Sequence, residues 1–93
     1  MQVFEWDQNK ARANVHNHAV TFEEAATVFL DPMALTVPDL FHSDDEDRSL
    51  EVGMSASGRL LVVVYTARGR VIRIISARKA TKTERKTYEK EDL

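Results

Sequence analysis

Apolar residues recur at helical spacing in the first third of the chain and in short strand-like runs after it. The opening run VFEW predicts a strand, and Asp7 follows it as the N-cap of a helix that extends to His18. The apolar stripe of this helix is thin, because only Ala11, Val15 and His18 lie at i, i+4 and i+7. We therefore expect a strand followed by a helix with a narrow buried face.

The segment VTFEEAATVFLDP predicts a second helix with a clearer apolar face. Thr21 and Glu24 have the spacing of a capping box, in which each side chain binds the other's backbone N–H. Asp31-Pro32 ends the helix, because a residue before proline disfavours the helical region. Four apolar residues at i, i+3, i+4 and i+7 form the predicted buried face: Phe22, Ala25, Ala26 and Phe29.

Four more strand candidates follow the second helix. MALTV is the first, and the polar, acidic loop FHSDDEDR separates it from RSLEVGMS, RLLVVVYT and RVIRIISA. Turn signals at Ser57-Gly58 and Arg68-Gly69 divide the last three runs, which predicts an antiparallel meander. LLVVV does not alternate, so we expect its strand to be central and covered on both faces.

The charged segment TKTERKTYEK predicts a last helix. Thr81 and Glu84 repeat the capping-box spacing, and Tyr88 is the main apolar anchor. The resulting order, β-α-α-β-β-β-β-α, indicates an α+β fold with helices on an antiparallel sheet. A chain of 93 residues is expected to form one domain, spanning residues 1–93.

Charge is distributed unevenly along the chain. Residues 1–67 contain 4 Lys or Arg and 11 Asp or Glu, whereas residues 68–90 contain 9 Lys or Arg and 2 Glu. This asymmetry favours a local anion-binding surface, or alternatively two halves that neutralise each other in the fold. The lack of cysteine excludes disulfides and thiolate zinc sites. Without a signal-peptide pattern or a long apolar run, a cytoplasmic protein is expected.

Several motifs in this order resemble the BrnT family of bacterial type II toxin–antitoxin systems. The N-terminal motif comprises FEWD at 4–7, Lys10, Asn14, His18, VTFEEAATVF at 20–29 and DP at 31–32. The C-terminal motif comprises LLVVVYT at 60–66 and RIISARKAT-x-x-ER-x-x-Y at 73–88. Ala19 departs from the family pattern, which usually has glycine there. The substitution affects the loop between the first two helices and removes no functional side chain.

The resemblance implies a RelE-like ribonuclease fold and an RNA-cleaving toxin that arrests bacterial growth. It also implies neutralisation by a cognate BrnA-type antitoxin, through which the complex binds operator DNA. Metal-free RNA cleavage requires attack of the 2′-hydroxyl on phosphorus, removal of its proton and stabilisation of charge on the phosphate oxygens. We therefore expect an endoribonuclease that needs no metal or other cofactor. A non-catalytic binding module or a degenerate toxin remains the alternative.

Arg73 and Arg78 are the first candidates for phosphate stabilisation, because guanidinium binds phosphate in bidentate fashion. Strand alternation predicts that Arg73 shares a face with Val71, Ile75 and Ala77, and that Ile72, Ile74 and Ser76 face the main core. Arg73 would then be partly desolvated between apolar neighbours. The structural alternative is a buried ion pair with Glu5 or Glu51.

Three other residues are candidates for proton transfer or positioning. Glu84 and Tyr88 share a face of the last helix, where the alternatives are a capping residue and a packing anchor. His18 is the histidine that fits the family pattern, and a partly buried helix-end histidine is its structural alternative. The predicted catalytic set is therefore Arg73, Arg78, His18, Glu84 and Tyr88.

A wider set of cations is predicted to bind RNA: Lys10, Arg48, Lys79, Lys82 and Arg85. Arg48 has an alternative role, since it could pair with Asp45 or Asp47. The acidic run HSDDED at 42–47 does not match a calcium-binding loop, because it lacks the central glycine and distal glutamate. We interpret it as a solvated loop and predict no metal site.

Overall fold

The computed structural model describes residues 2–39 and 47–90 and confirms the predicted order of elements. The elements are β1 (Val3–Glu5), α1 (Gln8–His18), α2 (Phe22–Thr27), β2 (Leu35–Pro38), β3 (Arg48–Met54), β4 (Leu60–Arg68), β5 (Val71–Lys79) and α3 (Lys82–Lys90). A 3-10 turn, Val28–Leu30, extends α2. Within the described ranges, no helix is long and apolar enough to cross a membrane.

The five strands form one sheet in the order β1-β5-β4-β3-β2. Strands β2 to β5 pair antiparallel with their neighbours, so the predicted meander is confirmed. β1 joins the far edge parallel to β5, and the sheet is therefore mixed rather than antiparallel throughout. Sequence patterns miss this pairing because β1 and β5 are separated by nearly the whole chain.

The central strand β4 separates two clusters of buried side chains. Leu61, Val63 and Tyr65 point to the face covered by α1 and α2, which we call the helix face. Leu60 and Val62 point to the opposite face, which we call the α3 face because Tyr88 of α3 packs there. Both faces of β4 are covered, as the unbroken LLVVV run predicted.

A register shift in β5 corrects the predicted faces of that strand. Tyr65 pairs with Ile74 and Val64 with Ser76, which leaves Ile75 as an extra residue. A bulge of this kind reverses the alternation of side chains beyond it. Ala77 is consequently buried on the helix face, so its predicted place beside Arg73 is wrong. Ser76 was predicted to face the main core but instead points to the α3 face, as Arg73 and Arg78 do. The β4 residues that pair with these three all point to that face, because they are every second residue of an unbroken strand: Val62, Val64 and Thr66.

α1 is held by a polar residue rather than by its predicted apolar stripe. Asp7 caps the helix as expected, accepting hydrogen bonds from the N–H groups of Asn9 and Lys10 at 2.7 and 3.2 Å. The buried residue of α1 is Asn14, whereas Val15 is 46% exposed and His18 is exposed. Of the predicted stripe, Ala11 packs against the core, whereas the predictions for Val15 and for a partly buried His18 are wrong.

α2 is anchored by its predicted apolar face and by an ion pair. Thr21 accepts a hydrogen bond from the Glu24 N–H at 3.0 Å, but the Glu24 carboxylate does not complete the predicted capping box. It instead accepts hydrogen bonds from Arg59, Ser55 and Ser57 of the β3–β4 hairpin. These hydrogen bonds, above all those from Arg59, lower the pKa of Glu24 to about 2.

We expect acid to weaken the fold through Glu24. A carboxyl whose pKa is lowered by folding takes up a proton more readily in the unfolded chain, so its contribution is present above about pH 4.5 and disappears toward about pH 2. In Glu24→Gln, the free energy of unfolding from urea titrations should vary less with pH across this window. Glu23→Gln is the matched control, since Glu23 is exposed on the same helix. Equal pH dependence in Glu24→Gln and wild type would contradict the assignment.

α3 begins with the predicted capping box and ends near a buried tyrosine. The Glu84 N–H donates to Thr81 Oγ1 at 3.2 Å, and the Thr81 N–H donates to Glu84 Oε1 at 2.8 Å. Tyr88 packs with Val52, Leu60 and Val62, and its hydroxyl donates to Asp31 Oδ2 at 2.7 Å. The interpretations of Glu84 as a capping residue and Tyr88 as a packing anchor are confirmed.

Candidate functional site

Four polar side chains lie in register across the α3 face of the sheet. Arg48 pairs with Thr66 on the central strand, Thr66 pairs with Arg73, and Arg73 pairs with Glu5 at the edge. We call this set, Arg48, Thr66, Arg73 and Glu5, the arginine row. Strands are spaced about 4.8 Å apart, so the Cα atoms of Arg48 and Arg73 are separated by about 10 Å. The row therefore presents two guanidinium groups on one face, with a hydroxyl between them.

Arg73 and Glu5 form an ion pair that remains accessible to solvent. Arg73 Nη1 lies 3.2 Å from Glu5 Oε2, and the two side chains are 48% and 51% exposed. The expected partial desolvation of Arg73 and the alternative of a buried pair are both corrected, because Arg73 is exposed and its partner is an exposed Glu5. Glu51 is occupied elsewhere, by hydrogen bonds from Tyr65 and Thr36.

A shallow depression of about 250 Å³ opens beside this ion pair. Arg68 and Val71 form one side of it, and they pair with each other at the end of the β4–β5 hairpin. Arg68 was not among the predicted site residues. Its position could have been inferred from the turn, because the residues flanking a tight hairpin pair across it. The lining residues are Glu5, Thr66, Arg68, Val71 and Arg73.

The first turn of α1 carries Lys10, a further predicted cation. The pKa of Asp7 is lowered mainly by the backbone N–H groups of Lys10 and Asn9, with further contributions from the charges of Lys10 and Arg73. Asp7 therefore lies within electrostatic range of both cations. Lys10 is exposed, as a phosphate-contacting lysine must be.

Arg78 belongs to a separate group at the start of α3. Its two terminal nitrogens each donate to one Glu84 oxygen at 2.8 Å, and Nη1 also donates to the Lys79 carbonyl at 3.2 Å. The Arg78 hydrogen bonds lower the pKa of Glu84 to about 2, and Glu84 raises the pKa of Arg78. Three of the five guanidinium donors are thus occupied within the described part of the chain. Arg78 lies about 15 Å along β5 from Arg73.

Tyr88 and His18 occupy other places. The Tyr88 hydroxyl is directed at Asp31 below α3, and the ring is buried. His18 ends α1, which packs on the helix face, and no hydrogen bond or ion pair between described residues connects it with Arg73 or Arg78. The structure therefore does not gather the five predicted catalytic residues into one site.

The remaining predicted cations surround the start of α3. Lys79, Lys82 and Arg85 are exposed, and Arg85 lies 3.8 Å from Glu89 on the same helix. Of the acidic run at 42–47, only Asp47 is among the described residues, and it is exposed. The interpretation of this run as a solvated loop and the alternative pairing of Arg48 with Asp45 concern residues outside the described ranges.

Comparisons with known proteins identify the class to which this arrangement belongs. The profile described as "Ribonuclease toxin, BrnT, of type II toxin-antitoxin system" matches residues 6–84. The ribonuclease toxin BrnT of Brucella abortus, solved at 1.1 Å resolution, superposes with a TM-score of 0.68 at 20% identity, covering 88% of this chain and all of that one. No curated protein sequence matches significantly. The class is thus that of type II ribonuclease toxins, and the chain belongs to the BrnT family.

Proposed function

We propose that this chain is an active endoribonuclease that cleaves RNA by attack of the 2′-hydroxyl on the adjacent phosphate, without a metal ion. The observation that carries the proposal is the arginine row, which places a half-buried Arg48 and an exposed Arg73 on one face of the sheet, with Thr66 between them. Family membership supports the reaction class, and the row supplies side chains suited to it.

Arg73 is proposed as the main ligand of the scissile phosphate. The transition state places additional negative charge on the phosphate oxygens, and a fixed guanidinium stabilises this charge without reorganisation. Arg73 is fixed at its base by pairing with strands on both sides, and it is half-exposed at its tip. Arg48 and Lys10 are proposed to hold neighbouring phosphates, since Arg48 lies two strands from Arg73 on the same face and Lys10 is an exposed cation of α1.

The Arg78–Glu84 group is proposed to extend the RNA-binding surface. Glu84 holds the Arg78 guanidinium in place, and three of the five Arg78 N–H groups make hydrogen bonds to described residues, so two are proposed to bind RNA. Exposed Lys82 and Arg85 continue the positive surface onto α3, whereas Lys79, which pairs with Leu61, points to the helix face. Glu84 and Tyr88 act in this proposal by holding α3 on the sheet. A catalytic part for Glu84, Tyr88 or His18 stays a prediction, and the proposed reaction does not use one.

The biological setting is proposed from the family. We infer that the toxin arrests growth by cutting RNA in the cytoplasm and is neutralised by a cognate BrnA-type antitoxin. The partner would reach operator DNA through its own DNA-binding domain. The positive charge around α3 fits a partner segment rich in acidic residues, which would cover the RNA-binding surface.

The proposal is tested by incubating the purified protein with a 5′-labelled RNA in EDTA. We expect cleavage to give one product ending in a 2′,3′-cyclic phosphate and another beginning with a 5′-hydroxyl, because the 2′-oxygen displaces the 5′-oxygen. The matched substrate carries a single 2′-deoxy residue at the preferred position, and cleavage there should disappear.

Two outcomes would contradict the proposal. Binding of RNA without cleavage, in EDTA and in Mg²⁺ alike, would indicate a binding module. Cleavage of the 2′-deoxy position would indicate a hydrolytic mechanism that does not use the 2′-hydroxyl.

A further inference from the structure

Among the described residues that line the depression beside the arginine row, one side chain can accept a proton. Of the five lining residues, only Glu5 carries a carboxylate; the others are two arginines, a threonine and a valine. Arginine stays protonated in proteins and aliphatic hydroxyls do not accept protons near neutral pH. Glu5 lies at the last position of β1, immediately before the range matched by the family profile.

We propose that Glu5 is the general base that removes the proton from the attacking 2′-hydroxyl, an inference that rests on the proposed ribonuclease function. Arg73 holds one Glu5 oxygen at 3.2 Å, so a phosphate bound by Arg73 lies next to that carboxylate. In an RNA chain, the 2′-oxygen is adjacent to the phosphorus that it attacks. The same residue pair therefore provides a phosphate ligand and a base within hydrogen-bonding reach of the nucleophile.

The ion pair also suggests how the base becomes available. Both side chains are about half-exposed, and exposed ion pairs contribute little stability, so an incoming phosphate can replace Glu5 on the guanidinium at small cost. Substrate binding would thus release Glu5 from Arg73 and leave its carboxylate free to accept the 2′-hydroxyl proton.

The proposed step conserves atoms and charge. The Glu5 carboxylate takes the proton from the 2′-hydroxyl while the 2′-oxygen forms a bond to phosphorus. The bond from phosphorus to the 5′-oxygen breaks, and that oxygen takes a proton from water. The products are a 2′,3′-cyclic phosphate and a 5′-hydroxyl, and Glu5 returns its proton to solvent.

The neighbourhood favours Glu5 over the three predicted proton carriers Tyr88, Glu84 and His18. The Tyr88 hydroxyl is directed at Asp31 beneath α3, and Glu84 is held by both nitrogens of Arg78. His18 lies at the end of α1. Glu5 alone among these groups is in the arginine row, which is where the phosphate is proposed to bind.

The test compares Glu5→Gln with wild type in single-turnover cleavage of labelled RNA in EDTA. Glutamine keeps the shape and the hydrogen bond to Arg73 but cannot act as a base, so cleavage should slow by about 100-fold or more. Binding of an all-2′-deoxy oligonucleotide, followed by fluorescence anisotropy, should be unchanged or tighter because a negative charge is removed.

Two variants guard against trivial explanations. Glu23→Gln removes the same charge from α2 on the other side of the sheet and should cleave like wild type. Glu5→Asp retains a carboxylate and should cleave faster than Glu5→Gln. Circular dichroism melts of all variants should coincide with wild type, since Glu5 is half-exposed.

Glu5→Gln cleavage within about threefold of wild type, or a loss in both rate and oligonucleotide binding, would overturn the assignment of Glu5. The first result would leave the proposed ribonuclease function intact. A wild-type protein that does not cleave RNA would instead overturn the function itself, and the assignment of Glu5 with it.

Discussion

Replacing Arg73 with alanine is expected to slow single-turnover RNA cleavage by about 100- to 1000-fold, the usual consequence of removing one preorganised donor to a transition-state oxyanion. Arg73 is the only arginine that lies both in the arginine row and in the lining of the depression. Its loss also leaves Glu5 without its ion-pair partner, but the pair is exposed, so the fold should remain stable. The measurement is the cleavage rate at saturating enzyme, with circular dichroism to confirm folding.

Arg73→Lys distinguishes charge from geometry. Lysine restores the positive charge but offers a point charge in place of a planar pair of donors, so we expect an activity between those of Arg73→Ala and wild type. Arg12→Ala is the matched control, because Arg12 is an exposed arginine of α1 whose described hydrogen bond is to Asn9 on the same helix. Wild-type cleavage by Arg73→Ala would exclude the arginine row and direct attention to the Arg78–Glu84 group.

Local patterns predicted the elements of this fold well, because their signals lie within a few residues of one another. The caps at Asp7 and Thr81 depend on side chains two or three residues from the N–H groups that they bind. The unbroken LLVVV run similarly predicted that β4 is central. In each case the deciding interaction is contained in the segment itself.

The bulge at Ile75 and the edge position of β1 could not be predicted in the same way. A bulge depends on how two strands align, and the alternation in RVIRIISA looks regular to a reader of the sequence. The parallel pairing of β1 with β5 joins residues 68 positions apart, as Glu5 and Arg73 show. Both features arise from tertiary packing, and without them the faces of Ser76 and Ala77 are assigned wrongly.

The candidate site was predictable in its residue types and not in its arrangement. An arginine within an isoleucine-rich strand indicated function, and Arg73 does point away from the main core. The row that connects it to Arg48 and Glu5 depends on the registers of three strand pairs, none of which a single segment specifies. Arg78 was grouped with Arg73 because both lie on β5, yet its described partner is Glu84 of α3.

Asn14 is the buried residue on which we expect the fold to depend most strongly. Its side-chain amide exchanges two hydrogen bonds with the backbone of Ala77, at 2.9 and 3.0 Å, and donates a third to the Val20 carbonyl at 2.9 Å. β1 pairs with β5 only as far as Arg73, so the edge of β5 beyond it needs another partner. The Asn14 side chain takes the place of a strand residue there and attaches α1 to the sheet.

Asn14→Ala is expected to lower the free energy of unfolding by about 3 kcal/mol, because it leaves one N–H and two carbonyl groups without their partner in a buried place. The measurement is a urea titration at neutral pH. Asn17→Ala is the matched control, since Asn17 is exposed on the same helix. Its effect should be within about 0.5 kcal/mol.

Asn14→Asp separates hydrogen bonding from packing at this position. Aspartate preserves the volume and can accept from the Ala77 N–H, but its ionised form directs a negative charge at the Ala77 and Val20 carbonyl oxygens. Folding should therefore raise the pKa of the new carboxyl, and a raised pKa makes the deficit relative to wild type largest at neutral pH. The deficit should shrink as the pH is lowered, because the protonated carboxyl can donate to one carbonyl. Asn14→Ala has no titrating group at this site. Its deficit relative to wild type, measured at the same pH values, should therefore not shrink in parallel. If Asn14→Asp were as stable as wild type at every pH while Asn14→Ala kept its deficit, the side-chain amide would contribute volume rather than hydrogen bonds, and α1 would be attached to the sheet by its apolar contacts.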